Sequence, residues 1–469
     1  MKKSVGFVDG LFESIDAATL GVFRIGFGLL MFWETFRFWP RVQTEFLATK
    51  FPFRYDHFEW FPTSSEFGLN AVFTAMAISA AFFAAGLFYR ISAITFFLAY
   101  TYLFLIEQTL YNNHYYLTSL LAFFFCVVDA DASYSWKTLR PGQAATLIPF
   151  WQIAIFRAQL VIVYFYAGVA KINFDWLRGE PMRHMLRSRA DDFPISGAFT
   201  NEFVVYCFAY GGMLFDLGIG FLLLWRKTRI LGVVLLAMFH LTNNWMFSIG
   251  IFPWLGMCSV VVFFDPSFPR GIFTSRQLPF PQAPTPAVNR RYGRLMVAGF
   301  AVYFLIQVLL PLRHFLYPGN VSWTEEGHNF AWHMKLRSKD GLFQFYADTP
   351  NGRRAIDQSE FLTENQQEEI VGDPRLLRKF AEFLRAEMTR NGIEHSGIRV
   401  EAICSLNGRP YQLLVDSKID LSLVDGDPFR HANWIVPLKE SDSVGDYPQT
   451  FDERIQRMRR VLKDRSTAD

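Results

Sequence analysis

Residues 150–171 read FWQIAIFRAQLVIVYFYAGVAK, a mainly apolar run interrupted by Arg157 and closed by Lys171. A helix crossing the hydrocarbon core of a bilayer needs roughly 20 such residues, so this stretch reads as a membrane span. Eight further runs satisfy the same criterion, at about 17–36, 70–88, 91–110, 114–130, 203–225, 229–247, 248–264 and 295–312. The expected fold is an α-helical polytopic membrane bundle of about nine spans over residues 1–312. One of the shorter segments is compatible with a re-entrant element. Tryptophans 39, 151, 176, 225 and 254 stand near segment ends, as interfacial belts require. No cleavable signal peptide is evident after Met1-Lys2-Lys3, so the first span is expected to remain as an anchor.

Basic residues orient the bundle. With a cytoplasmic N-terminus, the inner loops hold Lys2 and Lys3, Arg90, Lys137 and Arg140, Arg226 to Arg229, and the arginines between 270 and 294. Residues 313–469 then face outward, and in a bacterium the membrane is the cytoplasmic one. The net charge of +3 gives no reason to expect nucleic acid as a partner. The four cysteines (126, 207, 258, 404) form no CxxC pair and no zinc framework. No HxxxH or HExxH spacing occurs, and no metal is expected. The proline-rich stretch 275–292 reads as a loop.

The exposed part, residues 313–469, reads as a small β-rich domain, β-sandwich-like, with helical inserts. Residues 330–347 alternate with a period of two, Asp340-Gly341 and Asn351-Gly352 read as turns, and Asn407-Gly408 reads as a type I′ hairpin turn. Asp373-Pro374 opens a helix carrying Leu377, Phe380 and Leu384 on one face. Residues 451–465 read as an amphipathic, arginine-rich helix.

Ionisable groups inside spans mark function by default. Arg24, Arg157 and Asp216 fall in the inner half of their spans and read as an interhelical lock. Lys171, His114, His240 and His314 fall together at the outer end. A desolvated lysine offers a neutral amine as base, and neutral imidazoles beside the Asn112 and Asn113 amides can hold an oxyanion. A lone interfacial lysine also snorkels, so this reading leans on co-location. Tyr164, Gly168 and Lys171 share a helical face, with Gly168 expected to admit a flat ligand against Tyr164.

The same residues carry a family pattern. Gly86 to Ser92, Asn112-Asn113-His114-Tyr115-Tyr116-Leu117, Val163 to Lys171, Asp175-Trp176, Phe239-His240 with Asn243, Met246 to Gly250, Trp332-His333-Met334 and Asn433 to Leu438 resemble the vitamin K-dependent gamma-glutamyl carboxylase family, including its short horizontally transferred transmembrane (HTTM) relatives. The resemblance implies oxygenation of vitamin K hydroquinone to its epoxide by O2, removal of a γ-proton from a protein-bound glutamate, and addition of CO2. It implies Lys171 as the initiating base, His114 with Asn113 stabilising the oxygenated species, and His240 in the same pocket. Tyr164, Gly168, Asn112 and Asn243 are the expected quinol contacts. Partners are a glutamate-containing protein or peptide, the lipid-soluble quinol and membrane lipids. The rival readings are a quinol oxygenase without carboxylation, a non-catalytic maturation factor sharing the fold, and a proton-coupled transporter.

Overall fold

The computed structural model describes residues 7–138, 147–190, 196–247, 249–273, 290–439, 445–448 and 450–466. Most of the proline-rich 275–292 loop therefore lies outside the described residues. Helices occupy all nine expected positions: α1 (Ala18–Phe38), α2 (Glu66–Ala85), α3 (Tyr89–Ile106), α4 (Asn113–Val127), α5 (Trp151–Ala170), α6 (Glu202–Leu224), α7 (Arg229–Phe247), α8 (Phe252–Ser259) and α9 (Arg290–Leu309). Among the described residues seven of these are long and apolar enough to cross a membrane, and the protein is an integral membrane protein. The two short ones are α4, with 15 residues, and α8, continued by a 3-10 turn to Phe263. Fifteen residues rise only about 22 Å, less than the ~30 Å core. Leu117, Leu121, Phe124 and Phe125 of α4 are nevertheless buried among the longer helices, so α4 is shielded by protein.

Aromatic packing holds the bundle together. Phe23 and Phe27 of α1 meet Phe125 at 5.2 and 5.1 Å between ring centroids, and Phe156 of α5 closes on Phe23 at 5.3 Å. Arg24 and Arg157 do act as locks, but through backbone carbonyls. Arg24 donates to Ala84, Ala130, Ser133 and Tyr134, and Arg157 donates to Val262 and Phe264. Neither pairs with Asp216, which lies elsewhere. Of the expected belt tryptophans, Trp225 is exposed, whereas Trp151 and Trp176 are buried within the protein.

Two short strands, β1 (Ser14–Asp16) and β2 (Leu147–Pro149), pair near the N-terminus. The C-terminal region is built on β3 (Lys339–Thr349), β4 (Gly352–Ala355), β5 (Gly397–Leu406) and β6 (Gln412–Leu413), an antiparallel sheet of order β4-β3-β5-β6. The β-rich character holds, but helix α11 (Pro374–Arg390), preceded by α10 (Glu364–Ile370), packs on β5 where a sandwich would carry a second sheet. Asp373 caps α11 through Arg375 and Leu376 N–H, and Phe380 packs on Phe345 at 5.1 Å. Asp340-Gly341 is not a turn. It lies inside β3 opposite Ser405 and Cys404, and the strand begins at Lys339 rather than 330. The Asn407-Gly408 turn is as expected: both residues have positive φ (50° and 71°), and Arg409 N–H closes on Leu406 O. Helix α12 (Phe451–Ser466) follows at the C-terminus.

The loop after α1 joins this second core. Phe51 stacks on Phe383 at 4.6 Å, and buried Phe53 packs with the same cluster. Glu107, at the end of α3, accepts hydrogen bonds from Phe53 N, Thr109 N and Gln366 Nε2, tying α10 to the bundle.

Candidate functional site

Helix α5 closes in a tighter turn after Ala170, with Gly168 O taking the Lys171 N–H and Val169 O the Ile172 N–H, and the chain then turns into a short helix, Phe174–Leu177. The Lys171 side chain folds back along α5. Its Nζ donates to Ala167 O at 3.1 Å and to Asp216 Oδ2 at 2.7 Å, and it lies over the Trp176 ring at 5.2 Å from the centroid. Lys171 and Asp216 are 6% and 4% exposed, so the pair is withdrawn from water. Asp216 is the residue that sequence reasoning misplaced. The sequence groups it with the inner arginines, yet α6 extends well past the end of α5, and Trp176 Nε1 donates to Ala209 O on that extension.

The expected opening beside Gly168 is filled. A Cβ there would lie 2.7 Å from Leu217 of α6, so this glycine serves close helix approach, as small residues do between membrane helices. Tyr164, one turn below, is buried, and its hydroxyl is 2.8 Å from His240 Nε2. His240 is 0% exposed, and its Nδ1 has no partner among the described residues. Phe252 lies between the two imidazoles, 5.4 Å from His240 and 6.2 Å from His114 between ring centroids. Lys171–Asp216 and Tyr164–His240 therefore share one face of α5, while His114 meets His240 through Phe252.

Asn113 is buried and points another way. Its Nδ2 donates to His333 O at 2.9 Å, and Tyr111 Oη donates to its Oδ1. Asn112 is exposed and Asn243 half-buried, with neither hydrogen-bonded to Lys171 or His240 among the described residues. His314 belongs to a different group. Its ring lies 4.9 Å from that of His333, whose Nδ1 is 3.4 Å from His328 Nδ1. This cluster escaped the sequence reading, although His333 sits inside the Trp332-His333-Met334 motif. The segment that carries it is strained: Glu325, Phe330, Trp332 and Lys335 all have positive φ, between 56° and 63°.

The Asp175-Trp176 motif bridges the two cores. Arg409 grips Asp175 with two hydrogen bonds of 2.7 Å, and Asn407 Nδ2 adds one of 2.6 Å. Gly408 is required beside it, since a Cβ would come within 2.8 Å of Asp446 N and φ is positive.

Residues 12–268 match the family model of the HTTM domain, and residues 292–441 match that of the vitamin K-dependent gamma-carboxylase lumenal domain. The first match alone spans more than half of the chain. The chain belongs to the vitamin K-dependent gamma-carboxylase family. No solved structure matches it. In this carboxylase-like membrane protein, no group of three or more His, Cys, Asp or Glu side chains among the described residues is disposed to hold a metal.

A cavity of about 730 Å3 in this carboxylase-family protein lies away from the lysine face. It is bounded by Tyr166 and Val169 on the opposite side of α5, by His314 and Phe315 beyond α9, and by His333 and Arg409 of the C-terminal region. Burial, with the charges of Arg337 and Lys339, holds the His328 pKa well below the usual imidazole value. Burial and the His328 and His314 rings do the same for His333. Above pH of about 6.5 both states keep these rings neutral; below it the unfolded chain binds protons that the fold refuses. Stability therefore falls toward acid by up to roughly 1.4 kcal/mol per pH unit per histidine. Thermal unfolding in detergent at about pH 7 and pH 5 is expected to show a larger drop for the native protein than for a His328→Gln/His333→Gln double variant. Equal drops would contradict these neutral assignments.

Proposed function

We propose that this protein is a membrane carboxylase that couples oxygenation of vitamin K hydroquinone to γ-carboxylation of a protein-bound glutamate with CO2. The observation that carries the reading is the buried Lys171–Asp216 pair on one helix face with Tyr164 and His240, within a family-matched chain. Lys171 is the base for the hydroquinone. A buried ion pair loses hydration on both partners, which narrows the gap between ammonium–carboxylate and amine–carboxylic acid. In this reading Asp216, hydrogen-bonded to Nζ at 2.7 Å, is the group to which the lysine proton passes. The orphaned Nδ1 of His240, among the rings of Phe239, Phe252 and Tyr164, fits an aromatic diol whose hydroxyl needs a partner. His114, across Phe252, supplies a second imidazole, and Asn113 orients the segment bearing His333. Tyr164 positions His240, and Gly168 lets α6 bring Asp216 to the lysine. When bound, the hydroquinone supplies the reducing power by which O2 generates the strong base for the glutamate.

In this reading residues 1–312 form the catalytic bundle and residues 313–469 the substrate-presenting part, with the N-terminus cytoplasmic and the C-terminal domain outside. The test is purified protein in detergent with reduced vitamin K, O2, labelled CO2 and a glutamate peptide. Epoxide together with labelled peptide is expected. Epoxide alone would limit the protein to quinol oxygenation, and neither product would contradict an enzymatic role.

A further inference from the structure

The cavity on the far side of α5 ends on a line of polar groups that the lysine site does not use. His333 lines it, is 5% exposed, and has its Nδ1 occupied by His328, which leaves Nε2 as the ring nitrogen available to the cavity. His328, also 5% exposed, lies behind His333 with its Nδ1 3.6 Å from Glu325 Oε2. Glu325 is held in turn by Arg337 (Nε 2.6 Å, Nη2 2.8 Å) and by Lys339 at 2.5 Å. Asn113 fixes the backbone of His333 to the start of α4, and Trp332 stacks on Tyr116 at 4.9 Å. Two nitrogens of the same kind at 3.4 Å share one proton only when one ring donates and the other accepts. An N–H···N link between them requires unlike tautomers, and the relay assigns the proton to Nδ1 of His333 and a bare Nδ1 to His328. The charged groups facing them are Arg313, Arg337, Lys339 and Glu325, with the titratable His314 ring beside them. So cationic a setting repels a divalent metal and favours transient passage of a proton over its storage.

We propose that His333 and His328 form a proton relay from this cavity to Glu325. It rests on the carboxylase reading above. In that reaction the hydroquinone and O2 give the epoxide and water, while the glutamyl C–H and CO2 give a new C–C bond, a carboxylate and one proton. The relay takes the glutamate to be presented from this cavity, which the C-terminal region lines with His333 and Arg409, so that proton leaves on the far side of α5 from Lys171. Nε2 of His333 takes it, the Nδ1 proton of His333 passes to Nδ1 of His328, and the resulting imidazolium is compensated by Glu325. No group is oxidised or reduced in the relay; release of the Nδ1 proton toward Glu325 restores His328, whereas His333 is left as its Nε2–H tautomer and must tautomerise before the next turnover.

The test uses the full-length protein in detergent. His333→Gln and His328→Gln preserve polarity but cannot relay, and each is expected to lower carboxylation roughly tenfold or more, most strongly toward acid, where proton release opposes the solvent. His333→Ala is expected to recover activity when imidazole is added, because the adjacent cavity admits it; a merely structural role gives no such rescue. Independently of turnover, nitrogen NMR of 15N-histidine-labelled protein is expected to show one protonated and one bare Nδ1 joined by a shared proton, lost in His328→Gln. Native turnover in both Gln variants, or loss without imidazole rescue, overturns the relay. So does absence of the shared-proton signal. A native protein that shows the signal but makes no product keeps the link and contradicts the carboxylase reading instead.

Discussion

Lys171→Ala is expected to lower epoxide formation from vitamin K hydroquinone by at least about 10²-fold, the usual minimum for losing a general base. The side chain is 6% exposed, donates to Asp216 at 2.7 Å and is not a lysine reaching for the membrane surface. Raising the pH should partly restore the variant, because more hydroquinone then ionises without help. Asp216→Asn tests the partner separately. The amide keeps a hydrogen bond to the amine but cannot take its proton, so turnover should fall while hydroquinone binding changes little. Equal epoxide formation by native protein and Lys171→Ala, at equal folded concentration, would remove the lysine from its role.

The second large effect concerns stability. Arg409→Ala is expected to destabilise the protein by roughly 3–5 kcal/mol, since it leaves the Asp175 carboxylate buried and unneutralised. Asp175 is 5% exposed and receives two hydrogen bonds from Arg409 and one from Asn407. Replacing both partners, as Asp175→Leu/Arg409→Leu, should recover much of the loss, because the penalty belongs to the orphaned charge rather than to the missing contact. Denaturant midpoints of the three variants in one detergent provide the check. An Arg409→Ala midpoint indistinguishable from native would mean that the bridge between the two cores is unimportant. A functional consequence accompanies it: the same bridge fixes the loop after Lys171 against the turn at Asn407-Gly408.

The membrane bundle was legible because apolar length is a local property: each span can be counted without knowing its neighbours. Lys171 was legible for the same reason, as a charge closing such a run. Asp216 was not, because the sequence of a span does not reveal how far its helix projects beyond its neighbours. Fourteen residues separate it from Glu202, a rise of about 21 Å, and α6 begins that far beyond the lysine. Gly168 was recognised as a close-approach position, but sequence does not say whether ligand or helix approaches, and Leu217 fills the place. In the C-terminal region the Asn407-Gly408 turn and the Asp373-Pro374 helix start were readable from local chemistry. That α11 would take the position of a second sheet was not, because helix-on-sheet docking is decided by long-range packing. His333 hid in a segment whose alternation mimics a strand, while left-handed residues fold that segment against Tyr116 and Asn113, and His328 lies just ahead of it.

The central claim is that quinol chemistry takes place on the face of α5 that bears Tyr164 and Lys171, not in the cavity behind it. A photoreactive hydroquinone analogue, crosslinked to the native protein in detergent and mapped by peptide mass spectrometry, measures this directly. The account predicts label on the segments carrying Tyr164 and His240 to Phe252, suppressed by competing vitamin K hydroquinone. Competable label confined to the segments of His314, Phe315 and His333 would contradict it.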